Sequence, residues 1–159
     1  VIAPLEYTAL ALANVYGPRQ SPRSLYAAVV PRFLAAVARG EAPVIYGDGQ
    51  QTRDFTWVGD LVDACLLAAG APGAPGAGPI NVGGGERVSI AGLADLVAGA
   101  LNWSGRPRHE PARVGDVRHS LASIQKAADV LGWRPTTRLA EGVARLARQV
   151  HPSNVSPAV

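Results

Sequence analysis

The chain is 159 residues long, 48% hydrophobic and 17% charged, with a formal net charge of +3. That is about one domain's worth of chain, and its apolar content excludes wholesale disorder and an acidic solvating tail. The longest uninterrupted apolar runs, of which Ala64 to Ala69 is one, fall far short of the roughly 18 residues of a membrane span, and no basic-then-apolar leader opens the chain, so a cytoplasmic protein with no membrane partner is expected.

From Glu6 to Val15, Tyr7, Leu10, Leu12 and Val15 stand among small alanines and read as a buried strand. Gly17 and Pro18 end it, and the run GPRQSPR is a turn-rich loop. A short amphipathic helix is predicted from Val30 to Arg39. Pro31 suits its first turn, Phe33, Leu34 and Val37 recur at helical spacing, and Gly40 supplies the stop. The stretch PVIYGDGQQTRDFTWV holds two apolar or aromatic runs, read as strands separated by a glycine turn at Gly47 and Gly49.

The best helical signal follows, with Val58, Leu61, Val62, Cys65, Leu66 and Ala69 recurring at three and four. It puts Cys65 on the apolar face, as a plain buried thiol. Gly70, Gly73 and Gly76 have the GxxGxxG spacing of a dinucleotide fingerprint, but such glycines must leave a strand and open a helix. These leave a helix and run into proline, so the segment reads as an interstrand linker. PINVGGGERVSI then gives a short strand, a glycine turn and a second extended stretch. Ser89 is the N-cap of a helix bearing Ile90, Leu93, Leu96, Val97 and Leu101. An arginine-rich loop from Asn102 to Val114 precedes two more helices, roughly Ser123 to Leu131 and Leu139 to Val150, and residues 151–159 read as a frayed, disordered tail. Strands alternating with helices make the class α/β.

Several chemistries find no support. His109, His119 and His151 are scattered, which argues against a metal site, and there is no G-x-S-x-G elbow. The lone Cys65 has no disulfide partner. Arg106, Arg108, Arg113 and Arg118 lack an aromatic stacking platform, so no nucleic-acid partner is expected. Two arginine patterns are more informative. Arg53 follows a glycine turn at a strand start, where its planar fork could meet phosphate oxygens, or could simply pair with Asp54 or Asp60. Arg113 and Asp116 on one loop offer a guanidinium for phosphate and a carboxylate for ribose hydroxyls.

In chain order, NVYGPRQ from Asn14, GDGQQTRDF from Gly47, VGDLVDA from Val58, NVGGGERVSI from Asn81, GDVRHS from Gly115 and KAADVLGWRPTTRLAEGV from Lys126 resemble one family. It is the NAD-dependent nucleotide-sugar epimerase/dehydratase family of extended short-chain dehydrogenases, and the likeness is greatest to its UDP-hexose 4-epimerases. The resemblance implies the C-terminal part of a Rossmann-like fold, the last sheet strands plus the small nucleotide-sugar-binding domain, over residues 1–150. The N-terminal domain that binds NAD would lie upstream, absent from this chain, and the lack of methionine even at position 1 agrees. The family's catalytic Tyr-x-x-x-Lys is absent as well, because Ala122 stands four before the only lysine, Lys126, and Tyr7 has Ala11 where that lysine would sit.

By motif position, the resemblance implies that Asn14 holds the sugar diphosphate, Arg53 and Arg113 grip the phosphates, and Asp116 accepts from ribose. Val30, Pro31 and Tyr46 stand where the family lines its uracil pocket, although Tyr46 could equally be a packed strand aromatic. Ala11, Leu12 and Ala13 replace the arginine and two aromatics that the family commonly has. The implied function is binding of a nucleotide diphosphate-sugar, a UDP-hexose, for an NAD-dependent 4-epimerase that is a homodimer when intact, with this chain alone not catalytic. The alternatives are a 4,6-dehydratase or decarboxylase half, or a non-catalytic nucleotide-sugar-binding module.

Overall fold

The computed structural model describes residues 7–22, 28–71 and 78–150. The expectations for Glu6, for the centre of the linker and for the tail with His151 lie outside these residues. The elements run β1 (Leu10–Leu12), β2 (Val15–Tyr16), α1 (Val29–Ala38), β3 (Val44–Tyr46), β4 (Thr52–Arg53), β5 (Thr56–Trp57), α2 (Val58–Gly70), β6 (Ile80–Val82), β7 (Val88–Ser89), α3 (Ile90–Ala100), β8 (Arg108–Glu110), α4 (Gln125–Leu131) and α5 (Leu139–Val150). Strands pair two by two: β1 with β6, β2 with β5 and β3 with β8 in parallel, β4 with β7 antiparallel. Parallel pairs need long crossovers, and helices supply them, so the class is α/β.

The first predicted strand is two strands, because the chain turns at Asn14, whose φ of +31° lies in the left-handed region that asparagine tolerates better than most residues. Before the corner, Ala13 N–H donates to Val82 O at 3.1 Å. After it, Thr56 N–H donates to Asn14 O at 3.3 Å, so the partner changes from β6 to β5. Nor is the first of them buried on both faces: among the described residues β1 pairs with β6 alone, and Leu12 is 53% exposed. The runs around Gly47 and Gly49 are strands that do not pair with each other, since β3, β4 and β5 each take a distant partner. The arginine-rich loop contains β8, which places Arg108 beside Val44 and Glu110 beside Tyr46.

Tyr16, Phe55 and Trp57 pack edge to face, with ring centroids 6.4 and 5.5 Å from Tyr16. Around them close Val30, Leu34 and Val37 of α1, Leu93 and Val97 of α3, and Val143 and Leu146 of α5. Gly142 allows α5 this close, because any side chain there would strike the Tyr16 ring. A second cluster joins Ile80 and Val82 to Ala64, Ala127, Leu131 and Trp133. It is tied by buried Asp60, whose carboxylate accepts from Thr136 Oγ1 and Thr137 N–H at 2.9 and 3.0 Å, while its carbonyl accepts from Trp133 Nε1 at 2.9 Å.

The expected burial of Cys65 fails. Helix α2 packs through Ala64 and Asp60, and Cys65, Val62 and Leu66 face solvent. The apolar period is present, but only Val58 and Leu61 of its stripe pack against the core, and Val62, Cys65 and Leu66 point away from it. Among the described residues no helix is long and apolar enough to cross a membrane.

Candidate functional site

One face of α1 is apolar and buried in the first cluster, and the other carries Arg32, Ala35, Ala36 and Arg39 at the three-and-four spacing of one helical stripe. That stripe walls a cleft of about 740 Å³. The opposite wall holds Val44, Tyr46 and Arg108 of β3 and β8, with Asn14, Arg53, Arg113 and Asp116 at its rim. Among the described residues five arginines and two carboxylates, Glu41 and Asp116, line it, a cationic balance. A smaller cavity of about 240 Å³, beside Phe55 and Thr136, has a single arginine, Arg138, next to Glu86.

Arg53 is the most constrained of the five, with a side chain only 16% exposed. Its Nη1 donates to Thr52 O at 2.8 Å and to Val117 O at 2.5 Å, and its Nη2 donates to an Asp116 carboxylate oxygen. Among the described residues three of the five guanidinium N–H groups are thereby used, and two remain, on Nε and Nη2. The Asp116 loop turns at Gly115, where φ is +79°, and is pinned to the strand below it. Thr52 N–H donates to Arg118 O at 2.9 Å and Ser120 N–H to Thr52 O at 3.1 Å. Arg118 grips Asp48 through both nitrogens at 2.7 and 2.8 Å, and this pairing, with the Gln50 amide, holds the Asp48 carboxyl down at about 2.

The Arg113 guanidinium carbon lies 3.9 Å from the centroid of the Tyr46 ring, a cation–π contact. Arg113, and after it Arg32, draw the Tyr46 phenol below its usual pKa. Buried Gln51 fixes the end of β3, its Nε2 donating to Tyr46 O at 2.7 Å. Asn14 Nδ2 donates to Asp54 O at 2.9 Å, which sets the corner between β1 and β2 at the cleft rim.

Of the residues singled out in the sequence, Asn14, Tyr46, Arg53, Arg113 and Asp116 line this one cleft. Val30 does not, being fully buried in the first cluster, and half-buried Pro31 is not part of the lining. Arg53 pairs with Asp116 rather than with Asp54 or Asp60, whose carboxylates turn inward. Arg32, Arg39 and Arg108 were not singled out as cleft residues. Arg32 and Arg39 share the polar stripe of a recognisable helix and could have been found, whereas Arg108 reaches the cleft only through the β3–β8 pairing. Among the described residues no three histidine, cysteine or acidic side chains could hold a metal ion.

Comparison with known proteins agrees with this architecture. Residues 3–83 match the model of the NAD dependent epimerase/dehydratase family. The chain is 43% identical over 141 residues to a UDP-glucose 4-epimerase of Mycolicibacterium smegmatis, across 89% of this chain and 44% of that protein. It is 36% identical over 131 residues to UDP-glucuronic acid decarboxylase 5 of Arabidopsis thaliana, across 82% and 37%. The solved UDP-glucose 4-epimerase of Thermotoga maritima with UDP-glucose superposes with a TM-score of 0.85 at 38% identity, covering 91% of this chain and 45% of that one. The chain thus spans less than half the length of each of these proteins. NAD is the cofactor of the matched family, but the described residues do not build a dinucleotide cradle. Gly83 to Gly85 leave β6 and run on into β7 rather than into a helix, and Gly83 and Gly84 are packed against Asp54 and Phe55.

Proposed function

The chain belongs to the NAD dependent epimerase/dehydratase family, and on that premise we propose that the cleft between α1 and β3 binds the nucleoside diphosphate part of a UDP-hexose for a 4-epimerase. Arg53 carries the reading. It is nearly buried and triply anchored, and it keeps two donors for phosphate oxygens, which is the preorganised, charge-assisted geometry that a diphosphate rewards. Arg113 lies within the same cleft as a second cation, and Asn14 supports the grip from the rim. Asp116 spends one oxygen on Arg53 and keeps the other for a ribose hydroxyl. Tyr46 offers a flat surface to the base. Val30 could add only its main-chain amide, one of the free N–H groups of a first helical turn, and Pro31 only its ring.

In this proposal residues 1–150 hold and orient the nucleotide sugar, and the rest of an intact homodimeric enzyme carries the catalytic pair and the NAD site. NAD, when bound, supplies hydride transfer at the sugar, and the residues described here contribute positioning. A decarboxylase remains the second reading, favoured by the match to the Arabidopsis protein, since a nucleotide grip serves either chemistry.

Calorimetric titration with UDP, uridine and UDP-glucose tests the reading. UDP is expected to bind at least tenfold more tightly than uridine, in line with roughly 1.5 to 3 kcal/mol per charge-assisted bond. Equal affinities would overturn the phosphate grip. Turnover of UDP-glucose by the 159-residue chain alone would overturn its non-catalytic role.

A further inference from the structure

We infer that Asp54 is the positioning residue of the phosphate grip, an inference that rests on the proposed nucleotide site and deepens it. Arg53 ends β4 and lines the cleft, whereas Asp54, which follows it, is 1% exposed. Three ties converge on Asp54. Its carbonyl accepts from Asn14 Nδ2 at 2.9 Å, and its Oδ2 accepts the Ala122 N–H at 3.1 Å. The carboxylate fills a notch over two glycines, where a Cβ on Gly83 would collide with Oδ2 and one on Gly84 would stand 3.0 Å from Oδ1.

Those ties reach both sides of the site. Asn14 is the rim residue at the strand corner. Ala122 closes the segment 116–122, which supplies the Asp116 carboxylate and the Val117 carbonyl that hold the Arg53 guanidinium. Asp54 therefore holds from beneath, by its carboxylate, the segment that aims Arg53, and by its main-chain carbonyl, the corner at Asn14. The Ala122 amide is part-buried, and removing its carboxylate acceptor loses a hydrogen bond to a charged group. An apolar side chain would fill the notch and abandon that amide. The carboxylate's other oxygen, Oδ1, has no hydrogen-bond partner among the described residues. An asparagine side chain would keep one acceptor oxygen for that amide, lose the charge and put an amide nitrogen in place of Oδ1.

The test compares Asp54→Ala, Asp54→Asn and Gly83→Ala in the full polypeptide, each well below its own unfolding midpoint. UDP affinity is read by calorimetry, and the order of the Arg53 guanidinium by its Nε–H NMR signal without nucleotide. Asp54→Asn is expected to keep UDP affinity within about twofold and Asp54→Ala to lose roughly tenfold, with a shifted or broadened Arg53 signal. Gly83→Ala crowds Oδ2 without removing it and is expected to move the same signal with a smaller loss of affinity. It also decides the matter if Asp54→Ala fails to fold. Wild-type UDP affinity and an unmoved Arg53 signal in folded Asp54→Ala or Gly83→Ala would overturn the inference, as would equal losses in the alanine and asparagine variants. If UDP does not bind the unaltered protein, the nucleotide reading falls, and the Arg53 signal still shows whether Asp54 positions it.

Discussion

Around Tyr16 the helices α1, α3 and α5 close on one another and leave the aromatic side chains buried, whereas around Ile80 and Val82, among the described residues, the helices that pack are α2 and α4, and α2 leaves Val62, Leu66 and Leu67 in solvent. Both regions have buried apolar centres of about equal quality, with Leu93 and Val97 fully enclosed in one and Val82 and Ala64 in the other. They differ at their outer faces. The closed region carries the cleft, to which it lends Phe33 and Ile90 directly. The open region contributes no residue to it. Side chains that bind a ligand must be held by packing that is already complete, and here the complete packing lies under the arginines.

Two substitutions of similar chemistry should separate the regions. Leu93→Ala, in the closed cluster, is expected to cost about 2 to 5 kcal/mol by lost burial and the cavity left behind. Leu66→Ser, on the open face of α2, is expected to stay within about 0.5 kcal/mol, as exposed substitutions do. It should also reduce self-association of the chain, since an apolar stripe in water is an association surface. Denaturant unfolding reads the first pair of values and light scattering the last. Equal destabilisation by the two variants would erase the distinction.

That comparison also marks what the sequence could reveal. Helices α1, α3 and α5 followed from three-and-four spacing, from Ser89 as a cap, whose Oγ accepts the Gly92 N–H at 3.0 Å, and from Gly40 as a stop. Helix α2 was equally legible as a helix. Periodicity tells which residues share a face, however, and says nothing about what covers it, so Cys65 was expected inside and stands outside. Strand β8, Arg108-His109-Glu110, has no apolar alternation, and only its pairing with β3 makes it a strand. The corner at Asn14 is likewise a product of distant partners. Five of the seven residues proposed for the site share one cleft because their motif spacing encodes a shared fold. Arg53's anchoring by Val117 and Asp116, more than sixty residues away, could not be read locally.

Within the closed region, Arg53 and Arg113 should differ in turn. Arg53→Lys keeps the charge but cannot reproduce a fork that meets two carbonyls, a carboxylate and a phosphate at once, so UDP affinity should fall tenfold or more. Arg113→Ala removes an exposed cation that rests on Tyr46, and a smaller loss is expected. It should also let the Tyr46 phenol titrate nearer its ordinary value, readable by ultraviolet absorbance at alkaline pH. Neither variant should disturb the packing of Ile80 and Val82. Unchanged UDP binding in both would return these arginines to ordinary surface roles.

The smallest effect expected is electrostatic, and it concerns how the cleft loop is fastened to the closed region. Arg118 chiefly, and the Gln50 amide after it, lower the Asp48 carboxyl from 3.8 to about 2. Because the folded value is the lower one, the pairing favours the folded arrangement fully above about pH 4 and is lost as pH falls through about 2. Both side chains are more than half exposed, so salt screens them and their contribution to stability is slight. What the pair adds is registry: it joins the turn before β4 to the segment that follows Asp116, so releasing it should loosen the loop without unfolding the core. An NMR titration of the Asp48 carboxyl at low salt should give a midpoint near 2, moving back toward 3.8 in Arg118→Gln and part of the way with added salt. The Arg118→Gln variant should keep UDP affinity within about twofold at neutral pH, because Thr52 still holds the segment through two main-chain hydrogen bonds. A midpoint at the ordinary carboxyl value in the unaltered protein would show that the loop is fastened by its main chain alone.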